Sequence, residues 1–528
     1  MVKIWTFNMK KYFYNKISFG SITLELLIAF TILIINISAV MLIVSNNQSF
    51  SLDIEMNSQA IYKASSEIEK AVTSSKIDFN LVNPISYFED GVYQKELIVE
   101  QIDFFTKKIL SKIIWKNILG YDQEIEIRRL LTNIEATDGG DTCSSILTDS
   151  ASWKMPSYYN YSSVNFSGLN SRGIRISDLD VFNNKLYLTA LNTIDSNNNT
   201  FFVLDLPHEI NQVPIYLSGL DNNINSISGL NAIKVSKNHA YVANAYTGSS
   251  SGCTQNNNCA QLQIIDISES TNPIIIANLK IPTITSSGKL AAGTSIFYDK
   301  GYVYLGLAKA ISGTEFNIID VGGGGPPASP MNPIRKGGYV IGNGVNAIFV
   351  KNNYASIASP NDENIIIFDI SNPLAPIKIS EYVPPNLPNT NGVGSNHGKS
   401  VFVVGNKLYL GRTYSPKEFY IFDISNYSNI ELLGMPLDIG TGNKMSINKL
   451  LVRDFLIFFV TPSQFQIWNI SNTNNLIPWT IDETMNSFLS MQTLGGSGIT
   501  MDCEGNNIYV AIESLAEPGK DIISIITN

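Results

Sequence analysis

Histidine and cysteine are scarce in this chain of 528 residues, with three of the first and four of the second. His208, His239 and His397 fall in distant stretches of the sequence, which argues against a metal centre built on several imidazoles. Charge is scarce as well. Asp, Glu, Lys and Arg make up 15% of the residues against 44% apolar ones, a balance that excludes wholesale disorder. Acids are missing from the first 20 residues, which carry Lys3, Lys10, Lys11 and Lys16. Taking those four charges from the formal −9 leaves the remainder near −13, so the basic footprint of a nucleic-acid binder is absent and no nucleic acid is expected as a partner. Neither glycine nor proline occurs between Ser21 and Asn83, which suits one long helix. The length exceeds one ordinary domain and leaves room for a large core plus an appended module.

Within that helix lies an uncharged apolar run of 19 residues, Leu26 to Val44. At ~1.5 Å per residue it spans about 28 Å, close to the ~30 Å hydrocarbon thickness of a bilayer. The lysines ahead of it set the short N-terminal tail on the cytoplasmic side. A cleaved secretory signal would have a shorter apolar region and a small-residue cleavage site, so a plain signal anchor is the simplest alternative. Glu25 separates the remaining readings, because a carboxylate at the head of a membrane helix is costly and needs a partner.

Gly20, Glu25 five residues later and the apolar run resemble the processing site of the type IV pilins and pseudopilins. The resemblance implies that a prepilin peptidase cuts between Gly20 and Ser21. It also implies that Ser21 becomes the new N-terminus, and that Glu25 pairs with the terminal amine of a neighbouring pilin subunit. Beyond the membrane, Leu52, Met56, Ala60, Ile61, Ala64, Ile68 and Ala71 form an apolar stripe, with Asp53, Glu55, Lys63 and Glu67 off it. Pro84 ends the helix. Three strand-like runs follow at Tyr93–Ile102, Lys108–Lys116 and Glu124–Leu131, the last turn lying in Asn117–Gln123. The expectation is a small antiparallel pilin sheet over which the stripe packs.

From about residue 168 a second pattern recurs: two apolar residues, an acid, an aliphatic residue and often Ser. Its acids are Asp205, Asp266, Asp320, Asp369 and Asp423, continued by Asn469 and Ser524 at steps of 46 to 61 residues. Each copy follows a hairpin whose turn carries residues tolerant of positive φ, such as Asn183-Asn184, Lys237-Asn238, Lys300-Gly301, Asn352-Asn353 and Gly405-Asn406. A proline-led or aliphatic strand comes after it. Four strands in each of seven repeats describe a mainly β protein with a seven-bladed β-propeller head. The copies resemble the LVIVD repeat of bacterial surface propellers over about residues 150–528. The domains expected are a leader at 1–20, a membrane and stalk helix at 21–80, a pilin meander at 81–140 and the propeller at 141–528. A strand at about 153–162 is expected to complete the seventh blade, whose own repeat supplies only three.

Catalytic chemistry is not legible. Gly394–Ser400 misses the P-loop spacing by one residue and precedes a strand, and Asp195–Asn199 lacks the twelfth-position Glu of a calcium loop. No Ser/His/Asp or Cys/His set assembles locally. The repeating aspartates read as makers of turn hydrogen bonds. No cofactor, metal or enzymatic activity is expected. A contact surface for an unidentified ligand falls on the loops before each first strand and after each second strand, with His397, Lys399 and Arg412 as candidates. An exported protein favours disulfides, and four cysteines allow three connectivities. Cys253 and Cys259 share one loop, which leaves Cys143 with Cys503; two buried free thiols are the alternative.

The combined expectation is a pilin-like subunit, bound to the membrane through its N-terminal helix and then carried to the cell surface. Bulk of this size on every subunit would crowd a filament, which points to a minor or tip position and a role in adhesion to a glycan or protein. Two rivals stay open: an envelope-anchored propeller that binds ligand or catalyses outside any filament, and a pseudopilin of a secretion or DNA-uptake system.

Overall fold

The computed structural model describes residues 19–527, apart from 78–81, 83, 90, 102–105, 118–119, 133–142, 144–151, 164–165, 167–173, 192–198, 208–211, 222–228, 246–259, 361–363, 385–396, 414–416, 441–444, 480–488 and 518. The chain divides into two compact units, one of residues 1–100 and 108–131, the other of residues 101–107 and 132–528.

In the first unit a single helix, α1 (Phe19–Ile77), runs unbroken through 59 residues, as a stretch with neither glycine nor proline after Gly20 allows. Beside it lies a sheet of four antiparallel strands in sequence order: β1 (Ile85–Glu89), β2 (Tyr93–Gln101), β3 (Thr106–Lys116) and β4 (Asp122–Thr132). β1 is a strand beyond the three expected. Its five residues directly follow the helix-breaking Pro84 and are joined to β2 by a turn with Gly91 at φ 68°, so the segment is too short to show a period of its own. The stripe packs on this sheet in two patches. Ile68 and Ala71 meet Leu97, Ile109 and Leu131, and Ala60 and Ala64 meet Tyr93, Ile113 and Trp115. Leu52 and Ile61, placed on the stripe from sequence, are exposed instead. Glu67, read as a solvent-side residue, is buried and ion-paired to the buried Lys95 at 3.2 Å and to the exposed Lys70 at 2.8 Å.

The second unit is a propeller-like array. Among the described residues, four-stranded antiparallel sheets succeed one another over 176–220, 230–279, 293–339, 347–382, 398–432, 449–478 and 496–527, here called the first to the seventh. Leu489–Ser490 adds to the sixth. The seventh has three strands from its own stretch, and its fourth is β5 (Ser157–Ser162), which pairs antiparallel with Ile522–Thr527, Tyr161 opposite Ile523 and Tyr159 opposite Ile525. The first strand of each sheet packs against the first strand of the next, and Gly496–Glu504 of the seventh packs against Ile176–Phe182 of the first.

The hairpins between first and second strands use left-handed backbone at Asn183, Asn184, Lys237, Lys300, Asn352 and Asn353, the conformation that asparagine and glycine accept most readily. At Gly301, with φ 83°, a β-carbon would also run into the backbone of Gly323. The second and third strands are almost wholly buried, the third with Ile264, Ile265, Ile318, Ile319, Ile366 and Ile367 all inside. Such continuous apolar runs are what a strand covered on both faces requires. Trp153, just ahead of β5, is fully buried edge-on against Phe458 at 5.0 Å between ring centroids.

Candidate functional site

Gly20 and Ser21 lie in the first turns of α1. Glu25 follows in an exposed position, and the side chains from Leu26 to Val44 are exposed along the same helix, which is long and apolar enough to cross a membrane.

The structure separates the three loop-face candidates. Arg412 is not a surface residue: it is fully buried. Its guanidinium donates to Asn364 Oδ1, to the Lys417 carbonyl at 3.1 Å and to the Tyr420 hydroxyl at 3.1 Å, and it stacks over the Tyr420 ring at 5.2 Å. An arginine so committed ties the fourth sheet to the fifth and offers nothing to an outside ligand. His397 is half-buried, its N–H donating to Thr413 Oγ1 at 3.1 Å and its carbonyl accepting from Thr413 N at 2.9 Å. Lys399 lines a central cavity of about 430 Å³, whose walls are the first strands of all seven sheets.

The cavity is built from a repeated device. Most first strands carry a β-bulge near their start, and the extra residue is Ser177, Asn231, Thr294, Lys399 or Ile499 in the first, second, third, fifth and seventh sheets. Asn346 and Asn448 hold the matching places in the fourth and sixth. These side chains reach the backbone of the following sheet. Ser177 Oγ donates to the Leu230 carbonyl, Asn231 Nδ2 to Gly293, Thr294 Oγ1 to Val345, Asn346 Nδ2 to Gly398 and Asn448 Nδ2 to Gly498. The seventh sheet, where Ile499 is apolar and Thr500 donates to Asp178 Oδ1 instead, and the fifth depart from the rule. In the fifth, Ser400, one residue on, donates to the Ile447 carbonyl at 3.1 Å, in space left by Gly411, where a β-carbon would collide with the serine hydroxyl.

Deeper in the cavity the wall has two characters. Phe297, Phe349 and Phe402 of the third to fifth sheets follow one another at 5.0 and 4.9 Å. The seventh, first and second sheets place Asp502, Asp180 and Lys234 at that level. Asp502 accepts from Val181 N at 2.8 Å, while Asp180 accepts from Val235 N and pairs with Lys234 at 2.7 Å. Burial, followed by the attraction of Lys234 and the repulsion of Asp502, leaves the Asp180 carboxyl well above the usual carboxylate range. Asp178, nearer the bulge, accepts from Ile233 N and from Thr500 Oγ1.

A second device sits at the residue before the third strand. Gln261, Glu315, Glu418 and Asp521 are buried there, and each accepts backbone N–H bonds from the chain that follows the fourth strand of its sheet: Ile281, Ile341, Ile439 and Ile176 respectively. Burial is the largest influence on two of these carboxyls, pushing Glu418 up to about 7 and Asp521 up to about 6, against the backbone hydrogen bonds that lower them. Nothing in the sequence marks these positions, because the residue type changes from sheet to sheet.

Cys143 and Cys503 form a disulfide with their α-carbons 5.0 Å apart. Cys143 also bridges the backbone of Gly505. Cys253, Cys259 and His208 lie outside the described residues. His239, at a hairpin turn, is half-buried against Tyr241.

The LVIVD repeat family matches residues 256–280, 344–383 and 397–436, so the chain carries LVIVD repeats on a propeller-like, mainly β fold. No curated protein matches the chain. Among solved structures, a periplasmic gluconolactonase of Pseudomonas aeruginosa is similar at 7% identity, covering 57% of this chain and 83% of its own, with a TM-score of 0.42. A protein of Bacteroides fragilis assigned as a 6-phosphogluconolactonase is similar at 9% identity, with 74% and 92% covered and a TM-score of 0.42. The extracellular domain of a protein assigned to a hybrid two-component system of Bacteroides thetaiotaomicron is similar at 10% identity, with 81% and 58% covered and a TM-score of 0.44. Likeness at this level concerns fold alone; it does not carry the lactonase chemistry over to this chain.

Proposed function

We propose that this chain is a type IV pilin-like subunit, minor or at a filament tip, that displays a seven-bladed β-propeller for adhesion to a glycan or protein at the cell surface. The observation that carries the reading is the division of labour along α1. An uncharged run headed by Glu25 is exposed, and the same helix continues, without a break, into a stripe packed on the four strands β1–β4. A plain anchor needs only the first part. In this reading prepilin peptidase cuts between Gly20 and Ser21, the helix holds the subunit in the membrane before assembly, and Glu25 neutralises the terminal amine of a neighbouring subunit, removing the cost of a carboxylate in an apolar surround. The formal charge near −13 past the leader disfavours direct DNA contact and so a DNA-uptake role.

N-terminal sequencing of the surface protein is expected to begin at Ser21; a chain still starting at Met1 leaves only the anchor. Glu25→Ala is expected to insert in the membrane yet be lost from sheared filaments, and normal recovery there removes the assembly role. The central cavity favours one second reading, a ligand-binding propeller anchored at the envelope outside any filament.

A further inference from the structure

We infer that the central cavity binds a small polyhydroxylated carboxylate, a sugar acid, with Lys399 as the group that receives its carboxylate. At the matching place five other sheets put a neutral serine, threonine or asparagine whose hydroxyl or amide N–H is already given to the next sheet's carbonyl. In the fifth sheet that structural task is handed to the neighbouring residue, Ser400, as in the seventh the cross-sheet bond falls to Thr500 beside Ile499; of the bulge residues Lys399 alone is charged. Lys399 is thereby released from the ring.

Its charge is left unanswered. Among the described residues the Lys399 ammonium has no ion-pair partner, and burial holds it below the usual lysine range. The acids of the cavity are already engaged. Asp178 serves Ile233 N and Thr500 Oγ1, Asp180 serves Lys234 and Val235 N, and Asp502 serves Val181 N. Glu513 is exposed, and Lys449 of the neighbouring sixth sheet also lines the cavity. A desolvated cation gains most from an anion that brings its own charge, and a carboxylate accepts the charge-assisted bond that Lys399 has to give.

The rest of the ring specifies the remainder of the ligand. Asn231 and Asn346 each give one amide N–H to Gly293 and Gly398, so each side chain keeps an acceptor oxygen and a second N–H, a pair that suits hydroxyl groups, which both donate and accept. The volume of about 430 Å³ lies within the ~300–1,000 Å³ range of small-molecule sites. The inference deepens the display reading by naming a ligand class, and it is tested by binding alone, so filament assembly and ligand capture can fail separately.

The test is calorimetric titration of the full-length protein in detergent with sodium D-glucuronate, and with D-glucose as the uncharged counterpart. Glucuronate is expected to bind and glucose to bind at least about tenfold more weakly. Lys399→Ala is expected to lose about 10- to 100-fold in glucuronate affinity, the scale of one bond to a charged group. Its thermal midpoint should stay at the wild-type value because Ser400 carries the ring. Affinity should fall as pH rises into the range where Lys399 gives up its proton, and Lys399→Arg should abolish that fall because arginine stays charged. Absence of glucuronate binding, equal affinity for glucose, or unchanged affinity in Lys399→Ala each overturns the assignment.

Discussion

Single side chains in this protein do work that is partly legible in the sequence. The acid ending each third strand recurs, so its role can be read from the repeat: Asp266, Asp369, Asp423 and Asn469 accept from the backbone N–H two residues on, at Ser268, Ser371, Ser425 and Ser471, over 2.7 to 2.9 Å. Asp320 does the same for Gly322 and Gly324. The residue before the third strand is as regular in position but changes between Gln, Glu and Asp, so its task is visible only in three dimensions. That task has a pH signature. Burial pushes the Glu418 carboxyl up to about 7 from its ordinary 4.5. The folded state therefore holds this proton more tightly than the unfolded chain does. Its contribution to stability is fully present below about 4.5 and is lost as pH rises toward about 7. Glu418→Gln cannot titrate, so its unfolding free energy should decline less than wild type over that window, by on the order of 1–3 kcal/mol. The new amide meets one of two backbone donors, which moves the whole curve but not its slope. Denaturant melts across the window check this, and parallel profiles would refute it.

Elements were legible where they repeat or carry a long period. The helix, the hairpin turns and the third strands were, since absence of glycine, asparagine at turns and unbroken apolar runs each have one physical reading. β1 was not, and neither was the burial of Glu67, because a charged residue on an amphipathic helix reads as solvated unless its partner is known. That partner is Lys95 on β2, far along the chain. Burial alone would raise the Glu67 carboxyl, but hydrogen bonds from Lys70 and Lys95 outweigh it and bring it below its ordinary value. Removing one member of a buried pair strands the other. Glu67→Ala should therefore cost the first unit about 3–5 kcal/mol, while Glu67→Leu combined with Lys95→Leu should recover most of it. Hydrogen exchange of β2 and β3 amides reads this directly, and equal protection in the single and double variants would exclude it. The disulfide acts on a different element. Cys143 and Cys503 are separated by 360 residues, so Cys143→Ser with Cys503→Ser should lower the stability of the second unit by up to about 6 kcal/mol in the chain-entropy account. A calorimetric midpoint unmoved in the double variant would show that the bond only decorates a strand pairing strong enough alone.

At the scale of the whole molecule the question is how a ring made of local hairpins is shut by a contact between distant parts of the chain. Six sheets take their four strands from one stretch each, and such contacts form early because their loops are short. The seventh borrows β5 from more than 300 residues upstream, pairing Ser157–Ser162 with Ile522–Thr527. Without it the last strand would expose an unpaired edge, and Trp153 would have no reason to sit against Phe458. The first and seventh sheets would then be joined, among the described residues, only by the packing of Gly496–Glu504 on Ile176–Phe182 and by the bonds of Thr500, Asp502, Glu504 and Asp521 to the first sheet. Proline tests this, because it removes a backbone donor. Adjacent N–H groups in a strand point to opposite edges, so Tyr159→Pro together with Asn160→Pro takes away one ladder bond whichever residue donates. If closure couples the sheets, the double variant lowers one cooperative transition of the second unit and exposes amides in the first and seventh sheets together. The protection of β2 and β3 in the first unit stays as it was. Loss of protection confined to Ile522–Thr527, with the remaining sheets melting at the wild-type midpoint, would mean that the ring stands without its borrowed strand.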